Sequence, residues 1–332
     1  MDVIATFLQK AAYDAYEQER LGLSMDLKQL RTFRAVAELG SLSKAADRLR
    51  AAQPALSRHI KLLEHELRVE LFVRNGRGML LTSAGRMLLD RTTGLIRQIE
   101  QVSEDLKSAN GHPSGRVILG MVPTVSAVLS GRFARRVLDE FPDISLRIVE
   151  SYGGHLVEWL HRSEMDLAII YGPAVDLHLS VQSIGREDIA VVGPPGSGLN
   201  KRKQVDLKWL VKQRLILPSI SHGLRALLEK AAARERLKLT PLIEADSYRA
   251  QISLMEQGLG YTLLPPSAIR VEVAAKRLEM AALVSPSVSR ELILASPIAH
   301  PTSIATTTIS TLIMSEIQQL SKEGFWKINM TA

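Results

Sequence analysis

The stretch 41-SLSKAADRLRAAQPALSRHIKLLEHEL-67 decides the fold of the N-terminal part of this chain. Apolar residues recur at helical spacing in Lys44–Leu49 and again after Pro54, and a short break at residues 50–52 separates the two runs. Proline is tolerated in the first turn of a helix, so Pro54 marks the start of the second one. That helix has one buried stripe, which consists of Leu56, Ile60, Leu63 and Leu67. Two short helices at this separation indicate a helix-turn-helix.

Further elements flank this pair of helices. Upstream, residues 27–37 have apolar side chains at helical spacing, and Gly40 ends that helix. Downstream, two short apolar runs at 71–73 and 79–81 enclose a turn with two glycines, which is the pattern of a β-hairpin. We therefore expect a winged helix-turn-helix domain over residues 25–82.

Residues 83–108 are predicted to form one long helix. Its apolar residues recur in steps of seven, four, three and four, at Leu88, Leu95, Ile99, Val102 and Leu106. This seam packs either on the helix's own domain or against a second copy, and its length ahead of a linker favours dimerisation. Residues 109–115, rich in Gly, Pro and Ser, are predicted to be a hinge.

Residues 1–24 are predicted to contain a short helix that ends near Leu21-Gly22. Met25 opens the first element of the predicted domain. Residues 1–24 are therefore either a genuine N-terminal extension or the product of an upstream start site.

Beyond residue 115 the pattern changes to strands that alternate with helices. The predicted strands are 116–121, 145–150, 166–171, 189–193, 215–217, 242–245, 261–264 and 291–295, and the predicted helices are 125–140, 154–163, 221–237 and 247–257. Such alternation is typical of an α/β fold with a mostly parallel sheet and crossover helices. This part of the chain is long enough for two lobes.

Composition restricts the class of protein. At 332 residues the chain is longer than one hydrophobic core usually organises, so two or three domains are expected. A net charge of +7 mildly favours an anionic partner. Because there is no cysteine, disulfides, thiolate metal sites and cysteine nucleophiles are excluded. No apolar run reaches the ~18 residues of a membrane span and no export signal is present, so a cytoplasmic protein without a membrane partner is expected.

The second helix of the pair carries side chains suited to reading DNA. The N-terminal end of such a helix meets base edges in the major groove. Gln53, Ser57 and Arg58 lie there with suitable hydrogen-bonding groups, and Lys61 follows one turn later. For each residue alone, the alternative is an ordinary solvated helix face. Their combination with the hairpin favours DNA binding.

Hydroxyl and basic residues nearby suit phosphate contacts. Arg74 and Arg77 would make the hairpin a wing that binds the DNA backbone and supplies salt-dependent affinity rather than sequence choice. Ser41 and Ser43 are alternative N-caps of the first helix of the pair. Together with Lys44 they would hold a second phosphate at the free amides there.

Several motifs in this region resemble those of LysR-type transcriptional regulators. They are Ser41-Leu-Ser-Lys-Ala-Ala-Asp-Arg-Leu49, Gln53-Pro-Ala-Leu-Ser57, Leu63-Glu64, Leu71-Phe72-x-Arg74 and Leu81-Thr82-x-Ala-Gly85. The overall layout agrees with that family to about residue 320. The run 52–57 and the strand 166–171 are most similar to the nitrogen-assimilation-control branch.

The resemblance implies a winged helix-turn-helix, an antiparallel dimer of linker helices and a two-lobed, periplasmic-binding-protein-like (type II) effector domain. Lobe I would comprise 116–185 and 290–323, and lobe II 186–289. The assembly would be a homodimer or homotetramer that binds double-stranded promoter DNA, contacts RNA polymerase and responds to a small molecule. The family's base-contacting residues fall on Gln53, Pro54, Ser57 and Arg58, with Arg74 in the wing.

One position departs from the family pattern. Arg68 follows the recognition helix, where glycine is usual. A positive φ there would strain an arginine by about 1 kcal/mol. The sequence therefore does not predict the backbone conformation of Arg68.

Helix starts that follow strands are the expected effector-binding positions. Thr124 and Ser126 follow the first strand of the α/β part, Ser219 and Ser221 precede a helix of lobe II, and Tyr171 ends a strand near the same cleft. The alternative for each serine and threonine is a helix cap. Helix N-termini favour anions, so a small carboxylate or a similar metabolite is the expected effector. A regulator controlled by its abundance, without an effector, is the alternative within the family.

Enzymes and solute-binding proteins are the rival classes. The loop Gly193-Pro-Pro-Gly-Ser-Gly198 is similar to the first half of a P-loop, but Leu199 and Asn200 stand where lysine and Ser/Thr are required. His155 and His161, six residues apart, are poorly spaced for one metal. No catalytic residue, metal site or cofactor is therefore predicted. The missing export signal and the helix-turn-helix oppose a pure solute-binding protein.

Overall fold

The computed structural model describes residues 25–76, 78–108, 112–172, 178–298 and 302–330. The extension 1–24, the wing residue Arg77 and residues 109–111 of the predicted hinge lie outside the described residues. The chain divides into two compact units, residues 1–100 and 101–332. Within the described ranges, no helix is both long and apolar enough to cross a membrane.

The first unit contains the predicted helix-turn-helix and hairpin. Its elements are α1 (Leu27–Leu39), α2 (Leu42–Leu49), α3 (Gln53–Leu67), β1 (Phe72–Asn75), β2 (Gly78–Leu81) and most of α4 (Ser83–Ser108). The two strands pair antiparallel, with Asn75 opposite Gly78. The predicted stripe of α3 packs against Phe33 of α1 and Phe72 of β1, whose ring centroids are 5.3 Å apart. Local periodicity therefore predicted these elements correctly.

Each of the first three helices ends at a residue in the left-handed conformation. Gly40 ends α1 with φ 61°, Arg50 ends α2 with φ 50° and Arg68 ends α3 with φ 55°. The Arg68 amide donates to the carbonyls of Glu64 and His65 and so closes the last turn of α3. Arginine thus adopts the geometry for which the family uses glycine, at a strain of about 1 kcal/mol.

Three motif residues, Glu64, Thr82 and Gly85, hold the hairpin against the helices. Glu64 Oε1 accepts a hydrogen bond from the Leu71 amide at 2.8 Å. Thr82 Oγ1 donates to the Glu70 carbonyl at 2.7 Å and accepts from the Gly85 amide at 3.0 Å. A Cβ atom on Gly85 would lie 2.2 Å from the Leu71 carbonyl oxygen. Close packing of the hairpin therefore accounts for these three residues.

The second unit begins in lobe I, passes through lobe II and returns to lobe I. The first elements of lobe I are β3 (Gly115–Met121), α5 (Pro123–Glu140), β4 (Ile144–Glu150), α6 (Gly153–His161), β5 (Leu167–Tyr171) and β6 (Leu179–Asp188). Lobe II contains β7 (Ala190–Gly193), α7 (Leu199–Arg202), β8 (Gln204–Asp206), α8 (Leu207–Leu210), β9 (Leu215–Leu217), α9 (Gly223–Arg234), β10 (Pro241–Glu244), α10 (Tyr248–Glu256), β11 (Thr262–Leu264), a 3-10 turn (Pro266–Ile269), α11 (Arg270–Ala274) and β12 (Glu279–Val284). The returning elements are β13 (Ser289–Pro297), α12 (Ile304–Lys322) and β14 (Ile328–Met330).

The sheets are mixed, so the prediction of a mostly parallel sheet is wrong. Lobe I has one sheet in the order β14-β6-β13-β5-β3-β4, and lobe II has sheets in the orders β11-β7-β12-β8 and β10-β9. The pairs β3-β4, β3-β5, β8-β12 and β9-β10 are parallel, and the other pairs are antiparallel. The chain leaves lobe I along β6 and returns along β13, so these two strands run in opposite directions. The strands β6, β8, β12 and β14 lie outside the predicted set.

Candidate nucleic-acid interface and effector cleft

The outward face of α3 presents the DNA-binding residues that the sequence predicts on this helix. Gln53, Pro54, Arg58 and Lys61 are exposed, and Ser57 is half-buried. Gln53, Ser57 and Lys61 follow one another at four-residue spacing and therefore lie on one side of the helix. The buried stripe of Leu56, Ile60 and Leu63 lies on the adjacent side of the helix. The local fold thus points these polar side chains away from the core.

The start of α2 lies beside the start of α3. Ser41 is the N-cap of α2, and its Oγ accepts from the Lys44 amide at 3.4 Å. Ser43 lies inside the first turn, and its hydroxyl donates to Gln53 Oε1 at 3.3 Å. Of the two alternative caps, Ser41 is therefore the cap, while Ser43 links α2 to the first residue of α3.

Within the described part of the chain, three cations of the predicted interface are exposed and unpaired, whereas some other arginines of the first unit form ion pairs. Among the described residues, Arg58, Lys61 and Arg74 have no ion-pair partner, and all three are exposed. By contrast, Arg31 on α1 pairs with Glu100 at 3.1 Å. An exposed cation without an internal partner keeps its full charge available for a phosphate or a base. Arg77, the second predicted wing residue, lies outside the described residues.

In lobe I, two predicted effector residues contact each other. Thr124 Oγ1 and Tyr171 Oη are 2.9 Å apart. Val122 is the N-cap of α5 and offers no side-chain cap, so Thr124 is not a capping residue. Ser126 does not cap the helix either, because its hydroxyl contacts that of Ser130 at 3.0 Å. Helix capping therefore does not account for Thr124 or Ser126.

Beside Tyr171 lies a buried polar cluster that sequence reasoning missed. Its centre is Glu187, which accepts hydrogen bonds from Tyr171 Oη at 3.1 Å, Trp326 Nε1 at 2.7 Å and Ser267 Oγ at 2.6 Å. Ser267 belongs to the 3-10 turn of lobe II, so this bond joins the two lobes. The Arg290 guanidinium lies 3.5 Å from the Tyr171 ring centroid. Burial raises the pKa of Tyr171, which therefore remains a neutral donor.

In lobe II, Ser219 and Ser221 belong to a loop that Asp246 orders. The Ser219 amide donates to Asp246 Oδ1 at 2.8 Å, and the two serine hydroxyls are 3.1 Å apart. Hydrogen bonds from the Ser219 amide and hydroxyl lower the pKa of Asp246. His222 is the N-cap of α9. The edge of its ring contacts Tyr152 of lobe I, with the centroids 5.8 Å apart, so the loop faces lobe I.

The glycine-rich loop 193–198 is occupied by a side chain of the protein itself. Glu279 accepts from the Gly196 amide at 3.2 Å, the Ser197 hydroxyl at 3.1 Å and the Asn200 amide at 3.4 Å. Burial raises the pKa of Glu279, but hydrogen bonds led by that of Asn200 outweigh it and lower the pKa below its usual value. The amides that a P-loop would offer to phosphate thus bind a carboxylate of lobe II.

Comparisons with known families agree with both units. The family model "Bacterial regulatory helix-turn-helix protein, lysR family" matches residues 27–86, and the model "LysR substrate binding domain" matches residues 110–315. The chain belongs to the LysR family of transcription regulators. As a LysR-type protein it is a DNA-binding regulator with an effector-binding domain.

Individual members of the LysR family match along most of the chain. The regulator BbuR of Bordetella bronchiseptica is 30% identical over 91% of this chain and 93% of its own length. The nitrogen assimilation regulatory protein Nac of Escherichia coli is 31% identical over 88% of this chain and 95% of its own length. A full-length OxyR variant of Pseudomonas aeruginosa has the same fold, with a TM-score of 0.71 at 20% identity over 93% of this chain and 99% of its own.

The residues that sequence reasoning missed share one property. Glu187, Ser267, Arg290 and Trp326 come from four distant segments, and the first and third meet because β6 and β13 place them opposite each other. The local sequence offered one indication of this cluster: Glu187 and Arg290 are charged residues within strands that also contain apolar residues. A buried charge in a strand is uncommon, so such residues are candidates for a functional site.

Proposed function

We propose that this LysR-type regulator reads promoter DNA with the outward face of α3 and responds to a small anionic molecule in the cleft of its second unit. The proposed base-reading residues are Gln53, Pro54, Ser57 and Arg58. The proposed phosphate contacts are Ser41, Ser43, Lys44, Lys61, Arg74 and Arg77. The observation that carries this assignment is that Arg58, Lys61 and Arg74 are exposed and free of ion pairs among the described residues, whereas Arg31 is paired.

The proposed assembly is a homodimer, or a homotetramer built from it, that acts in the cytoplasm. Leu95, Ile99, Val102 and Leu106 are between 52% and 73% exposed along α4. Leu88, the first residue of the predicted seam, packs on the core of the first unit, whereas these four form an apolar stripe that no described residue of the same chain buries. The exposed part of the seam supports a contact with a second copy. At its promoter the assembly would act on RNA polymerase.

The proposed effector site lies between lobe I and lobe II. Its residues are Thr124, Ser126, Tyr171, Ser219 and Ser221. The contacts of Ser267 with Glu187 and of Tyr152 with His222 bring the two lobes together around these residues, which supports a shared site. For Ser126 to bind a ligand, its hydroxyl would have to exchange Ser130 for that ligand.

Substitutions at the DNA surface test the assignment. Arg58→Ala and Gln53→Ala should each weaken binding to the specific site roughly 10- to 100-fold and leave random duplex almost unaffected. Arg74→Ala should weaken binding to the specific site and to random duplex alike. It should also lower the salt dependence of binding by about one phosphate contact. Arg31→Ala, which removes a paired arginine, is the control. If Arg58→Ala leaves specific and random DNA bound as in the wild type, α3 is not the reading helix.

The effector site needs a separate test. Replacing Thr124 or Ser219 by a bulky residue should abolish the response of DNA binding to an effector and leave DNA affinity itself unchanged. Unfolding midpoints are measured in parallel. A loss of stability equal to the loss of response would assign these residues a structural role instead.

A further inference from the structure

Arg290 is a buried arginine whose hydrogen-bonding capacity is only partly used. It lies on β13 with 7% of its surface exposed. Its Nε and Nη2 atoms are fully buried and have no hydrogen-bond partner within the part of the chain that the structure describes. Buried polar atoms are nearly always hydrogen-bonded, so a pair of unused donors on a charged group calls for a missing partner.

The nearest carboxylate does not supply this partner. Glu187 Oε2 lies 3.8 Å from Arg290 Nη2, which is an ion pair but too long for a hydrogen bond. The Glu187 oxygens already accept from Tyr171, Ser267 and Trp326. Glu187 therefore balances the charge of Arg290 but does not hydrogen-bond its Nε–H and Nη2–H groups, which have no other partner in the described part of the chain.

A second buried arginine in the same unit, Arg225, does have hydrogen-bond partners for its donors. Arg225 is 5% exposed, and its Nε donates to Glu229 at 2.7 Å. Its Nη1 donates to the Pro218 carbonyl at 3.1 Å. The fold thus provides direct hydrogen-bond partners for Arg225, whereas within the described ranges it leaves Nε and Nη2 of Arg290 without one.

The free donors of Arg290 lie among the proposed effector residues. The guanidinium stacks on Tyr171, whose hydroxyl contacts Thr124 in the first turn of α5. From lobe II, burial and then the charge of Arg290 lower the pKa of His222, while Asp246 opposes the change. The positive charge of Arg290 therefore acts at the start of α9 as well as at the start of α5.

We propose that Arg290 binds the carboxylate of the effector through Nε–H and Nη2–H. These two groups lie on one edge of the guanidinium and form the fork that receives a carboxylate through two parallel hydrogen bonds. The inference rests on the proposed effector site and adds the residue that binds the anionic group of its ligand. The ligand has a carboxylate, and a neutral molecule of the same shape lacks the group that Arg290 holds.

The test uses the full chain and simple probes. Acetate and benzoate are compared with acetamide and benzamide, which match them in shape but have no charge. Binding is detected by saturation-transfer NMR and quantified by calorimetry. R290Q removes the charge and the fork, and R290K keeps the charge but loses the fork, so folding beside Glu187 is preserved in at least one variant. R186Q, which removes an exposed arginine on the neighbouring strand β6, is the matched control.

We expect the acids to bind and the amides to bind at least tenfold more weakly. R290Q should weaken benzoate binding at least tenfold, R290K several-fold, and R186Q not at all. The inference is overturned if no acid binds, if the amides bind equally well, or if a folded R290Q or R290K keeps wild-type affinity. DNA binding by the wild type and R186Q is measured in the same samples. If DNA binding is lost, the proposed function fails; if only the acid results fail, this inference alone falls.

Discussion

The proposed DNA surface of α3 and the cluster around Glu187 use charge in opposite ways. On α3, Arg58 and Lys61 are exposed and have no ion-pair partner among the described residues. In the second unit, Glu187 and Arg290 are 2% and 7% exposed and lie in a network that joins two lobes. A free surface charge is available to a ligand and contributes little to folding. A buried charge serves folding and function together, so its loss should disturb both.

The largest effect is expected for Glu187→Leu. Without the carboxylate, Arg290 would be a buried charge without a counter-charge, and three donors would lose their acceptor. We expect the second unit to lose about 4 kcal/mol of its free energy of unfolding. All three tryptophans, at 159, 209 and 326, belong to this unit, so their fluorescence during denaturant unfolding measures the loss.

A surface carboxylate is the control for this substitution. Glu158→Gln removes an i,i+4 pair with Arg162 at a side chain that is 51% exposed. It should change stability by less than about 0.5 kcal/mol. An unchanged unfolding midpoint for Glu187→Leu would contradict the claim that the buried charge stabilises the fold more than a surface charge does.

Gly85→Ala should give the next largest effect, this time in the first unit. The added Cβ would meet the Leu71 carbonyl oxygen at 2.2 Å, so α4 and the hairpin must separate, at a cost of about 3 kcal/mol. Helices of both units contribute to the far-UV circular dichroism, but all three tryptophans lie in the second unit. Gly85→Ala should therefore cause part of the helical signal to be lost at lower denaturant than the tryptophan signal. Gly76→Ala is the control, since no atom lies within 4 Å of its added Cβ. Equal midpoints for both variants would contradict the hairpin packing described above.

Ile99→Glu tests whether the exposed apolar stripe of α4 is the interface between two copies of the chain. Ile99 is 52% exposed, so the single chain should fold normally. A charge within the seam should weaken self-association by about 2 kcal/mol, or roughly 30-fold. Sedimentation velocity measures the change. Met87→Glu alters an equally exposed apolar residue of α4 outside the seam, and it should leave the assembly intact. The seam is not the interface if the two variants sediment alike.

Arg68→Gly should have the smallest effect, and a favourable one. Glycine adopts a φ of 55° without strain, so stability should rise by up to about 1 kcal/mol. Gly40→Ala places a side chain at a φ of 61° and should lower stability by a similar amount. Both are measured by the part of the helical circular dichroism that is lost separately from the tryptophan signal of the second unit. A destabilising Arg68→Gly would mean that the arginine side chain makes a contact that outweighs the strain.

The same contrast explains what the sequence could predict. The stripe of α3, the stop at Gly40 and the start near Pro54 are local patterns, and the structure confirms them. The cluster of Glu187 depends on the register between β6 and β13 and on residues more than 100 positions apart, which no local pattern encodes. The antiparallel pairing of β6 with β13 was not predicted for the same reason. The path of the chain between the two lobes decides how these strands pair. The sequence singled out Thr124 and Tyr171, which the structure places in contact, but it did not single out the charged pair beside them.

The most direct test of the central claim is a titration of the purified full chain onto its own upstream intergenic DNA and onto random duplex, at two salt concentrations. Binding should be tighter on the intergenic DNA and should weaken steeply with salt, because the free cations of the first unit displace counterions from phosphates. Failure of a folded protein to bind either DNA would contradict the account.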